Sequence, residues 1–359
     1  MMTIKLTRKI TTIALILIFS AYSVFSQSVN KYPGKTWEKV KKPEDLGYSS
    51  VKLEKAKEFS KTLRTCAVTI IVNGVVLDEW GLVDTLFLTH SMRKSVLSAM
   101  YGKYVENGTI NLNKTMSELG IDDEPPLSEQ EKTATIRDCL KARSGVFHTA
   151  EAENDAMHKL KPAKDMFKPG EFWLYNNWDF NVLGTIFEKL TKKNIFQAFK
   201  DDIADPIQMQ NFSTANGNSF KTGRSIHEAY MFTITAHDLA RFGLLMLRNG
   251  MWNDKQIIPA NWVKESTTYF SDATIYKSDG YGYMWWVAKD NNKFPHFQNV
   301  KLKEGTYSAR GMGGHYVVII PEYDMVLVHR VNTFIPNNTV SSKDFGTLLN
   351  MILEAKIAR

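Results

Sequence analysis

Residues 89–95 read Thr89-His90-Ser91-Met92-Arg93-Lys94-Ser95, and the reading of this stretch decides the architecture around it. Ahead of it lie two apolar runs rich in β-branched residues, Cys66–Val72 and Val75–Trp80, joined by Asn73-Gly74. That dipeptide tolerates positive φ at both of its residues and so predicts a hairpin. Behind the stretch, apolar spacing predicts a helix from Ser91 through Tyr104 that closes at Asn107-Gly108. Ser91 therefore opens a helix, where free N–H groups and the positive end of the dipole favour an anion.

Within that helix Ser91 and Lys94 are three residues apart and share a face, so a lysine with a pKa lowered by burial can accept the serine proton. The spacing alone arises by chance about once in a chain of this length. Ser49-Ser50-Val51-Lys52 repeats it with no other sign of chemistry. Taken alone, Ser91 is a helix N-cap. A second element, Tyr175-Asn176-Asn177, follows Pro169-Gly170 and precedes the amphipathic run Trp178–Leu190. A phenol beside an amine can share a proton, and the Asn177 amide can donate to a bound carbonyl. Singly these are a half-buried aromatic and a helix cap; with Ser91 and Lys94 in this order they point to catalysis.

Working outward, residues 50–63 have helical spacing, and residues 111–218 turn polar and helical. Thr135–Ala142 and Trp178–Leu190 are the clearest amphipathic segments, with Pro125-Pro126 and Lys168-Pro169-Gly170 as breakers. A helix at Ala236–Leu247 is followed by strand character in Gly282–Val287, His315–Ile320 and Met325–Val331, the last two joined by the turn Pro321-Glu322-Tyr323-Asp324. Strands at both ends with helices between predict an α/β (α+β) fold: one antiparallel sheet flanked by helices. Residues 27–110 and 219–359 would build the discontinuous sheet domain, and 111–218 a mainly helical insertion domain.

The 359 residues are 43% hydrophobic and 12% aromatic, enough for a sizeable core and inconsistent with disorder. Residues 1–26 read as a signal peptide: a basic start at Lys5, Arg8 and Lys9, an apolar run Ile10–Phe19, and small residues up to Ser26. Cleavage there predicts export, periplasmic or secreted, and the apolar run falls short of the roughly 20 residues of a stable membrane span. Losing those three cations takes the formal charge from +7 to +4, without basic runs, so no nucleic-acid partner is expected. The eight histidines are scattered without metal-binding spacing, and no Gly-x-Ser-x-Gly elbow occurs. No metal or cofactor is implied, and nothing sets an oligomeric state. Cys66 and Cys139 read as buried free thiols rather than a disulfide.

The motif around Ser91, together with Thr135-Ile136-Arg137-Asp138-Cys139-Leu140, Ser144-Gly145-Val146, Tyr175-Asn176-Asn177, Thr235–Gly243, Tyr281–Trp286 and Gly313-Gly314-His315-Tyr316, resembles the serine β-lactamase and penicillin-binding protein family, in its class C and esterase-like branch. The resemblance covers nearly the whole mature chain. It implies that Ser91 is acylated, that Lys94 and Tyr175 act as general base and acid, and that the Ser91 N–H is one oxyanion donor. The family's third motif, typically Lys-Thr-Gly on a sheet strand, is missing between Thr306 and His315. Lys221-Thr222-Gly223 stands in the wrong chain position and reads as coincidence. Gly311 is the candidate second donor, and Arg310 or His315 the candidate for a substrate anion. Without the third-motif lysine an ester, amide or peptide substrate is at least as fitting as a β-lactam. The competing reading is a non-catalytic penicillin-binding or sensing module of the same fold. Trp173, Trp285 and Trp286 suggest an apolar wall.

Overall fold

The computed structural model describes residues 30–357; the segment read as a signal peptide lies outside them. The hairpin forms as its turn predicts: β1 (Thr65–Val72) and β2 (Val75–Gly81) are joined through Asn73 and Gly74 at φ 52° and 77°. After a long excursion the chain returns as β3 (Ser271–Asp272), β4 (Gly280–Tyr281), β5 (Trp286–Val287), β6 (Tyr307–Gly311), β7 (His315–Ile320) and β8 (Met325–Val331). The eight strands form one antiparallel sheet in the order β2-β1-β8-β7-β6-β5-β4-β3. Strands from the two ends of the chain are thus neighbours, with Ile70 opposite Leu327.

Among the described residues five long helices accompany the sheet: α1 (Ser50–Lys61), α2 (Met92–Glu106), α3 (Asn177–Thr191), α4 (Ala236–Leu247) and α5 (Ser342–Glu354). Alternate strand residues serve opposite faces. Val68, Ile70, Val318 and Leu327 pack with Leu53 of α1 and Phe345, Leu348 and Ile352 of α5. Ala67, Ile71, Val317, Val326 and Val328 pack with residues of α2 and α4. Both faces are covered, which is why these strands read as unbroken apolar runs. On the α4 side the approach is close enough that a Cβ on Gly243 would lie 2.4 Å from Val326 Cγ1.

Two expectations are corrected. Gly282–Val287 is not one strand: the Gly282 N–H bonds the Trp285 carbonyl at 2.8 Å and Met284 sits at φ 60°, so a turn separates β4 from β5. Cys66 is only partly buried, whereas Cys139 is buried; both are free thiols. The helix α5 was not foreseen. Among the described residues no helix is long and apolar enough to cross a membrane.

Candidate active site

The chain enters α2 under tight control. Phe87 pairs with Ile234 of the strand Ala229–Ile234, and the Thr89 N–H and hydroxyl both donate to the Phe232 carbonyl, at 2.8 and 2.9 Å. His90 then adopts φ 49°, a left-handed conformation rare for a non-glycine residue and frequent where function demands it. Ser91 occupies the N-cap position but its hydroxyl makes no capping bond. Instead the Lys94 amine lies 2.7 Å from Ser91 Oγ and 2.8 Å from the Tyr175 hydroxyl. The plain N-cap reading of Ser91 therefore fails, and the three residues singled out in the sequence are brought together.

Lys94 is 2% exposed, and its polar neighbours are hydroxyls rather than carboxylates. Burial, reinforced by the adjacent Arg93 cation, drives its pKa well below the usual lysine range. Burial has the opposite consequence for Tyr175, whose phenol is held protonated above its usual range. Arg93 donates to Asn181 Oδ1 at 2.7 Å and lies 4.3 Å over the Tyr230 ring. The site therefore shifts this amine, held between two hydroxyls, toward its neutral form.

Tyr175 is placed by a buried staple that the sequence reading missed. Asp179, on the first turn of α3, accepts from Ser144 Oγ at 2.5 Å and from Asn176 Nδ2 at 3.0 Å, while Asn176 Nδ2 also reaches the Val146 carbonyl at 2.6 Å. Ser144-Gly145-Val146 and Tyr175-Asn176-Asn177 are thereby locked together. Burial lifts the Asp179 carboxyl to about 8. The Tyr175 ring stacks on Trp286, with centroids 5.5 Å apart, and meets Tyr276 and Tyr281 edge-on.

A family model described as Beta-lactamase matches residues 52–349. The chain belongs to the β-lactamase family. An uncharacterised protein of Alkalihalophilus pseudofirmus is 22% identical over 271 residues, 70% of this chain and 75% of that one. Among solved structures, a β-lactamase from Mycobacterium bovis superposes with a TM-score of 0.59 at 17% identity, covering 84% of this chain and 100% of the other. A family VIII carboxylesterase superposes with a TM-score of 0.60 at 14% identity, covering 85% and 97%. These likenesses carry the fold.

Within this β-lactamase-family chain, the remaining sequence-derived candidates divide. Gly311 ends β6 against the two residues that precede Ser91: a Cβ there would lie 2.5 Å from the Thr89 carbonyl oxygen and 3.3 Å from His90 Cβ. The Asn177 amide is already committed within the protein, donating to the Ala152 carbonyl at 2.6 Å. Arg310 is not a free anion site either; it donates to Ser308 Oγ, Ser278 Oγ and the His296 carbonyl at 3.0, 3.1 and 2.7 Å. His315 is fully buried, and burial holds it neutral while its Nδ1 accepts from Arg330 Nε at 3.0 Å, so it offers no cation. Trp173 and Trp286 pack edge to face beside Tyr175, but Trp285 belongs to the core, stacked on Phe242. Thr222 and Gly223 of the Lys-Thr-Gly triplet bind the Glu151 carboxylate at 2.7 and 2.8 Å, outside the main sheet.

Proposed function

We propose that this protein is an exported serine hydrolase that works through an acyl-enzyme on Ser91, with an uncharged carboxylic ester or simple amide as its substrate. The observation that carries the reading is the buried Lys94 amine poised between Ser91 Oγ and the Tyr175 hydroxyl. Neutral Lys94 takes the Ser91 proton as Oγ attacks the substrate carbonyl carbon. The carbonyl electrons move onto oxygen, which the Ser91 N–H and the Gly311 backbone stabilise. Collapse breaks the bond to the leaving group, which departs with the Tyr175 proton; Lys94 returns a proton to Tyr175. Water then attacks the acyl-enzyme by the same relay in reverse, releasing the acid and Ser91.

The preference for an uncharged substrate rests on the cations around the site. Arg310 and Arg330 donate to protein acceptors, Arg93 is buried between Asn181 and the Tyr230 ring, and Lys94 is committed to the proton relay. A penicillin or a peptide C-terminus brings a carboxylate that none of these groups is set to receive. The likeness to a family VIII carboxylesterase agrees with an ester. Export rests on residues 1–26 and is checked by N-terminal sequencing of the extracytoplasmic protein.

The test is intact-protein mass spectrometry of the mature chain and its Ser91→Ala variant after exposure to a fluorophosphonate, a p-nitrophenyl ester and penicillin, with product release followed in parallel. A Ser91-dependent adduct, with ester turned over faster than lactam, is the expected result. Equal reactivity of the Ser91→Ala variant overturns the mechanism, and no adduct with any probe favours the binding-module reading.

A further inference from the structure

Behind Tyr175 runs a second constellation that the relay does not use. Asp279 Oδ1 lies 2.9 Å from His296 Nδ1, His296 Nε2 lies 2.8 Å from Ser308 Oγ, and Arg310 Nε donates to the same Ser308 Oγ at 3.0 Å. Distances like these in a Ser-His-Asp set invite the idea of a second nucleophile. Ser308, however, is 0% exposed, and Asp279 and His296 are 2% and 3% exposed, so no substrate reaches it.

The proton order in this chain follows from donor chemistry. A guanidinium only donates, so the Ser308 oxygen accepts from Arg310, and its hydrogen can go to His296 Nε2 when that nitrogen is bare. The imidazole, kept neutral by burial, then carries its hydrogen on Nδ1 and gives it to Asp279. The guanidinium is therefore tied at Nε to the serine end of this set. Its other nitrogens are tied to Ser278 and the His296 carbonyl, and its plane is held 4.7 Å over Trp286 and 4.3 Å over Phe297. Trp286 is the ring on which Tyr175 stacks.

We propose that Asp279, His296, Ser308 and Arg310 are positioning residues for Tyr175, acting through the indole of Trp286. The chain also fixes the segment between β5 and β6, since His296 lies in that segment while Ser308 and Arg310 lie on β6 and Asp279 directly precedes β4. The proposal rests on the reading of Tyr175 as the proton relay.

Ser308→Ala removes the one atom that both the arginine and the histidine need, without adding bulk. It is expected to lower kcat on a p-nitrophenyl ester roughly tenfold to a hundredfold, with KM within about twofold and thermal unfolding little changed. The ultraviolet titration of the Tyr175 phenol, isolated as the difference from Tyr175→Phe, should move down toward the ordinary tyrosine value as water reaches the loosened ring. Arg310→Lys keeps the charge but loses the planar fork, and is expected to behave like Ser308→Ala. An unchanged kcat and an unchanged phenol titration in Ser308→Ala overturn the proposal, as does full activity in Arg310→Lys. If the wild type and Ser91→Ala hydrolyse ester equally, the serine mechanism fails instead. The phenol titration still decides the positioning claim in that case, because it reads the packing of Trp286 on Tyr175 without turnover.

Discussion

Lys94 carries a burial cost that the fold tolerates and that the proposed relay would put to use. An amine 2% exposed between two hydroxyls is favoured in its neutral form, so the unfolded chain binds more protons than the folded one at any pH between the lowered pKa and the ordinary lysine value. The penalty is absent above about 10.5, grows as pH falls toward the folded pKa, and is constant below it. Lys94→Met, close in volume and without the amine, is therefore expected to abolish ester turnover while leaving the urea midpoint at pH 7 unchanged or raised; a large drop in that midpoint argues against the burial penalty. The same amine sets the acid limb of kcat/KM, which should lie well below the ordinary lysine range and be lost as pH falls through it. Asp179 shows the opposite sign. Its folded pKa is raised to about 8, so the folded state holds the extra proton and stability declines as pH rises from about 4 to 8. Asp179→Asn keeps an acceptor for Ser144 but cannot ionise, and its urea midpoint is expected to be flatter than the wild type across that range.

Elements were legible where local chemistry and packing agreed. The hairpin β1–β2 was read from Asn73-Gly74 because only that turn joins two apolar runs so closely, and α4 was read to the residue because its apolar stripe and the Thr235 cap mark both face and start. Gly282–Val287 was misread as one strand, although only Trp286–Val287 of it is strand, because a turn at Gly282–Trp285 inside an aromatic run leaves no polar punctuation. α5 escaped because its start, Ser341 accepting from the Asp344 N–H, sits in a polar stretch with no preceding signal. In the site, Ser91, Lys94 and Tyr175 were legible from order and spacing. Asp179 is fixed in part by Ser144, Arg310 by Ser278 and His296, and His315 by Arg330, partners in other segments that spacing does not encode. Element packing also gives a sharp test at Gly243, where α4 meets β8. Gly243→Val adds atoms at a point where even a Cβ lies 2.4 Å from Val326 Cγ1, and overpacking of this kind costs about 1–3 kcal/mol or more. The variant should lose that much in urea unfolding with ester kcat per folded molecule unchanged.

At the scale of the molecule, the sheet is closed by strands from opposite ends of the chain, and the proposed nucleophile Ser91 opens a helix that this sheet supports from one side while α1 and α5 cover the other. Phe345, Leu348, Leu349 and Ile352 of α5 are all fully buried against that outer face. At roughly 1.5–3 kcal/mol for each side chain, their burial is comparable to the whole net stability of about 5–15 kcal/mol expected of a folded domain. The unfolded chain already hides part of this surface, so the figure is an upper bound. Cutting the chain after Val340 would expose Val68, Ile70, Val318 and Leu327 together, although no residue of the proposed relay is removed. That truncation is expected to abolish cooperative unfolding and fluorophosphonate labelling of Ser91 together. Removal of residues 1–26 is expected to leave both intact, since it takes away only the segment read as a signal. A truncated chain that still labelled at Ser91 would mean that α2 and its neighbours fold without the outer layer, and that the two faces of the sheet are energetically separable.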